Sequence, residues 1–159
     1  MLDVGRLTGR PGELEPFRDT DADEREAAFA PNGRWIAYQS NESGRFEIWL
    51  QSYPDPTRAR HLITTEGGEG PLWGPGGELF YHNAGSMMAV QIDLATGLPG
   101  TPSQIFEGDY EFGAGYRNYD VTADGQRFLM VKPRGGTEKR EVVVVLNWLE
   151  ELKRLMGGN

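Results

Sequence analysis

Phe29-Ala30-Pro31-Asn32-Gly33-Arg34-Trp35-Ile36-Ala37-Tyr38 decides how this chain is organised, because versions of it occur three times. It reads as the end of one strand, a tight turn and the start of a second. Pro31 presets the first central turn residue, while Asn32 and Gly33 tolerate the positive φ that such turns require. Trp73-Gly74-Pro75-Gly76-Gly77-Glu78-Leu79-Phe80-Tyr81 and Val121-Thr122-Ala123-Asp124-Gly125-Gln126-Arg127-Phe128-Leu129 repeat the pattern, with Gly33, Gly77 and Gly125 at matching places.

Repeats of about 40 to 50 residues built only from strand patterns and turns predict propeller blades, four-stranded sheets stacked radially. The expected fold is therefore an all-β β-propeller with about three four-stranded blades, a half-ring. Glu13 to Arg18 reads as an orphan outer strand, because Arg60 to Thr64 and Ser103 to Glu107 close the later units in that way. The first complete blade covers 26–65, the second 71–108, and an incomplete third 116–146. Asn41-Glu42-Ser43-Gly44 and Asn83-Ala84-Gly85-Ser86 are hairpin sequences, and Tyr53-Pro54-Asp55-Pro56 stops a strand because proline cannot donate to a ladder. At 147–156, Asn147 and Glu150 fit a capping box, with Leu149, Leu152, Leu155 and Met156 on one side of a short helix.

A blade buries its faces only against other blades, and a ring usually needs about four to eight of them. One strand, then four, four and three make three blades' worth with one blade split across the termini. Two closures stay open. In a symmetric homodimer, residues 13–18 of each subunit complete the last blade of the other in a six-bladed ring; alternatively the chain is a piece of a longer propeller.

Composition narrows the function classes. Sixteen basic against 24 acidic residues give a net charge of −8, which argues against binding nucleic acid or an anionic membrane. The absence of cysteine excludes disulfides and thiolate metal sites. No run approaches the length of a spanning helix, and the first residues lack the pattern of a signal peptide, so the expectation is a soluble chain with no export address.

With the flanking FAPNGRWIAYQSNESGRFEIWL of residues 29–50, the three turns resemble the WD-repeat-like units of TolB-type β-propellers, in which an aromatic precedes Ser-Pro-Asp-Gly and a Ser-Asn/Asp-x-x-Gly hairpin follows. The match runs from about residue 13 to 146, and residues 141–156 resemble the tail of propeller regions that follow kinase domains in bacterial multidomain proteins. The second and third units depart from the full tetrapeptide. The resemblance implies a fold and a surface for binding a protein, peptide, glycan or small molecule. It carries over no catalytic residue, because the shared motif is turn chemistry.

Chemistry therefore has to come from one mouth of the channel, where each outer strand connects to the next inner strand. The candidate ligand-binding residues there are Glu26, Glu69, Trp73, His82, Tyr116, Arg117 and Asn118. Asp23, Glu26 and Glu69 could supply oxygens to calcium or magnesium, which take oxygen ligands; the plain alternative is solvated acidic loops. A divalent-cation-dependent hydrolase of esterase or phosphotriesterase type is the alternative to a binding or scaffolding propeller. His61 and His82 are too few for a three-histidine zinc site, and no Gly-x-Ser-x-Gly elbow is present. Whether the chain is an enzyme stays open at this stage.

Overall fold

The computed structural model describes residues 16–112, 116–133 and 140–146. They form eleven strands in three antiparallel sheets: β1 (Glu24–Phe29), β2 (Trp35–Ser40), β3 (Glu47–Ser52) and β4 (Arg60–Leu62); β5 (Glu69–Trp73), β6 (Glu78–Asn83), β7 (Ser86–Gln91) and β8 (Ser103–Glu107); and β9 (Asp120–Val121), β10 (Arg127–Pro133) and β11 (Arg140–Leu146). Strand order follows chain order in every sheet, so each is a simple meander. No helix occurs among the described residues; the helix expected at 147–156 lies outside them. Of the expected outer strand 13–18, only 16–18 are described. They have no strand structure in this chain: Phe17 packs 6.0 Å from the Tyr53 ring, and Arg18 donates to Glu42 at 2.8 Å.

The repeated turns behave alike. Ala30 N–H donates to Trp35 C=O, Gly74 to Glu78 and Thr122 to Arg127, and Gly33, Gly77 and Gly125 take φ of 66°, 86° and 72°. Asn32, expected to share the positive φ, does not: its carboxamide oxygen instead accepts from Arg34 N–H at 2.9 Å, as Asp124 accepts from Gln126 N–H at 3.0 Å. The short side chain closes the turn itself, so only the glycine is left-handed.

Alternation along the strands loads both faces of the second sheet. Leu79, Tyr81, Val90 and Ile92 pack against Trp35, Ala37, Ile48 and Leu50 of the first sheet. Phe80 and Met87, on the opposite face, pack with Ile105 against Phe128 and Met130 of the third. Phe80 and Phe128 meet edge to face at 4.9 Å, a favoured aromatic geometry. At the end holding the β1–β2 turn, Trp35 donates its indole N–H to Leu94 C=O at 3.0 Å. The same ring lies against Gly97, where φ is +79° and an added Cβ would come 2.4 Å from the indole. At the other end, buried Glu47 accepts from Thr64 Oγ1, Gly67 N–H and Arg45 Nε, anchoring the connector into β5.

The two outer faces of the stack differ. On the first sheet, Arg60 lies 3.6 Å over the Trp49 ring, donates to Tyr38 Oη at 2.9 Å and pairs with Glu42, which covers Tyr38. On the third sheet Leu129, Val142, Val144 and Leu146 remain 45–66% exposed.

Candidate functional site

Beside the connectors, the three inner segments β1, β5 and 116–121 come together. Turn-to-turn spacing aligns them residue by residue: Arg25, Glu69 and Arg117 occupy one place, and Glu26, Gly70 and Asn118 the next. The pairing of β1 with β2 shifts register between Arg25 and Ala28, and that of β5 with β6 between Glu69 and Leu72, so both strands carry a bulge at this level. Glu26 and Gly70 are the left-handed residues of these bulges, with φ of 57° and 65°. Glycine adopts that conformation freely, whereas for glutamate it costs about 1–2 kcal/mol.

The Glu26 carboxylate accepts from Arg117 N–H at 2.5 Å, and the Arg117 guanidinium donates to Pro71 C=O at 3.1 Å, so one chain of contacts links all three inner segments. Tyr119 Oη donates to Gly70 C=O at 2.5 Å, while Gly70 N–H donates to the Gln39 carboxamide oxygen at 2.7 Å. Burial pushes the Tyr119 hydroxyl pKa far above its ordinary value. Gln39 is 1% exposed, and its Nε2 has no partner among the described residues.

Of the residues expected at this mouth, Glu26 and Arg117 are in direct contact, Asn118 sits beside them partly buried, and Tyr116 is 64% exposed. Glu69 lies close enough to Arg25 to help raise the pKa of that guanidinium, after the larger effect of the hydrogen bond to Asp23. His82 faces Glu69 across the ladder but is buried, stacked at 4.4 Å on Phe112. Trp73 is at the far end of β5, where its indole N–H donates to Ala28 C=O at 3.1 Å and its ring packs on the core.

The expected cation ligands are not assembled. Asp23 is hydrogen-bonded to Arg25, which holds its carboxyl below the usual range, and Glu26 is taken by Arg117 N–H. Among the described residues, no three His, Asp or Glu side chains form a group able to hold a metal ion. Sequence reasoning missed Arg25, Gln39, Gly70 and Tyr119; aligning the inner strands, as well as the turns, would have placed Arg25 with Glu69 and Arg117.

Two outcomes test this geometry. Because only the backbone conformation favours glycine at position 26, Glu26→Ala should be about 1–2 kcal/mol less stable than Glu26→Gly in urea unfolding; equal stabilities would mean that the bulge is not left-handed. Burial lowers the His82 pKa from 6.5 to about 4. The neutral form is therefore favoured in the fold, and stability present above pH 6.5 is lost as pH falls toward 4, by at most about 3 kcal/mol. His82→Phe, which keeps a ring against Phe112, should remove that part of the pH dependence when the two proteins are melted in parallel from pH 7 to pH 4; identical pH slopes would exclude it.

No family model matches the chain, and no curated protein matches it. Among solved structures, a putative TolB from Agrobacterium tumefaciens superposes with a TM-score of 0.57 at 13% identity, over 82% of this chain and 47% of its own. TolB from Acinetobacter baumannii gives 0.49 at 19% identity, over 87% of this chain and 45% of its own. The chain spans about half the length of these structures. No helix among the described residues is long and apolar enough to cross a membrane. The turn motifs and the three stacked meanders agree: in fold, the chain resembles a TolB-like β-propeller domain.

Proposed function

We propose that the chain is a binding or scaffolding module of propeller type that takes its ligand at the mouth where the three inner segments meet. The observation that carries this reading is Glu26, a charged side chain in a left-handed position where the next repeat has glycine. Strain of this kind persists where the side chain is needed. Arg25, Glu69 and Arg117 add charges of both signs at one level, and exposed Tyr116 adds an aromatic contact of the sort that dominates binding energy. This mixture suits a peptide segment, which offers amides, charges and apolar side chains together; a glycan is the second class it suits.

The assembly that accompanies this reading is a homodimer closing a six-bladed ring. Leu129 stands where the first two sheets have Ala37 and Phe80, both buried under the next sheet. Among the described residues, the third sheet has three strands where the others have four. An exposed apolar face and a β11 edge that pairs with no further strand among the described residues together call for another sheet.

Peptide and glycan arrays probed with the protein should yield binders whose signal falls at least about tenfold in Tyr116→Ala and in Glu69→Gln, a loss of roughly 1.4 kcal/mol. Binders unaffected by either change would move the site elsewhere. Light scattering should give twice the chain mass for the wild type, and one chain mass for Val142→Glu/Val144→Glu. A monomeric wild type would exclude the ring of two copies.

A further inference from the structure

At the opposite end of the sheets from the mouth, the β1–β2 turn, the β3–β4 loop and the β7–β8 loop surround a cavity of about 600 Å³. That volume is within the range of small-molecule sites, roughly 300–1,000 Å³. Its wall includes Arg34, Trp35, Tyr53, Asp55, Arg58 and Thr96.

Most polar groups in this wall are already engaged. The Trp35 N–H goes to Leu94 C=O, and Ser52 Oγ donates to Asp55 C=O and accepts from Ala59 N–H. Thr96 Oγ1 donates to Asp93, while Asp55 Oδ1 accepts the N–H and the hydroxyl of Thr57. The guanidiniums of Arg34 and Arg58 are different: among the described residues neither has a hydrogen-bond or ion-pair partner. The Arg58 guanidinium acts on the Asp55 carboxylate only through space, as the smallest of the influences that lower its pKa. The wall therefore holds two unengaged guanidiniums against one engaged carboxylate, on a chain whose net charge is −8.

Guanidinium presents planar, paired donors that match carboxylate and phosphate oxygens, and such charge-assisted bonds are the strong ones. The rest of the wall is suited to an apolar body. Tyr53 is held edge-on at 5.0 Å by Phe29, and Trp35 is fixed by its hydrogen bond and by Gly97, so the aromatic side does not have to be ordered when a ligand enters. We propose that this cavity is a second binding site, for a small molecule that carries one carboxylate or phosphate on a flat apolar body, with Arg34 and Arg58 as the anion-binding residues. The site is at the far end of the sheets from the mouth, so it stands or falls independently of the reading given above.

Phenyl phosphate and benzoate are the probes, with benzyl alcohol as the neutral control. At about 10 mM, either anion should raise the melting midpoint of the wild type if it binds with a millimolar or lower Kd, and benzyl alcohol should not. A response to one anion alone assigns the site to phosphate or to carboxylate ligands. Arg34→Met/Arg58→Met removes two exposed charges and no core contact, so it should melt as the wild type does without ligand and show no shift with either anion. Arg34→Lys and Arg58→Lys should each weaken titrated binding at least about threefold, because the paired donors are lost. No shift of the wild type with either anion, or a shift that persists undiminished in the double methionine variant, would overturn the proposal.

Discussion

The second sheet has no polar face, and the rest of the architecture follows from that. Leu79 and Tyr81 point one way and Phe80 the other, all at most 3% exposed, so a neighbouring sheet is required on each side. At about 25 cal/mol for each Å² of apolar surface removed from water, stacking is the main favourable contribution, and hydrogen bonds between sheets set only the angle and height at which they meet. Trp35 to Leu94 does this at one end of the first interface, and Glu26–Arg117–Pro71 does it where the inner segments meet.

The same requirement explains why the two ends of the stack differ. The first sheet covers its free face with a guanidinium over an indole and a network through Glu42 and Tyr38, an arrangement in which Arg60 contributes its apolar stem and its charge together. The third sheet has valines and leucines on its free face. A chain whose stack ends in water on one side and in hydrocarbon on the other is built asymmetrically, and its two ends have to be explained separately.

Much of this was legible in the residues. Gly33, Gly77 and Gly125 marked the turns because a tight return needs a left-handed backbone, and the short apolar runs between them read as strands bounded by turn residues. Asn32 was read only in part: its usefulness to the turn was clear, but whether it would contribute its backbone or its carboxamide depends on a hydrogen bond that propensity does not specify. Among the residues expected at the mouth, Glu26 and Arg117 meet in the fold, Arg117 N–H donating to the Glu26 carboxylate. Trp73 was misjudged by one strand length, since an aromatic at the end of β5 is equally suited to core and mouth. The carboxylates Asp23, Glu26 and Glu69 were read as a set because they share a sign, whereas in the fold Asp23 pairs with Arg25, Glu26 accepts a backbone amide, and Glu69 acts on Arg25 only through space.

By itself, the sequence determined the class of fold, the repeated turns and the ends of most strands, because turn chemistry and the two-residue period of a strand are local properties carried by a few neighbouring residues. Only the tertiary structure decided which charges face one another, that Glu26 takes the left-handed place glycine holds one repeat later, and that Arg34 and Arg58 flank a cavity without engaging a partner among the described residues. Those features depend on how three sheets twist against one another. Residues about ninety positions apart, such as Glu26 and Arg117, meet only after the apolar faces have stacked.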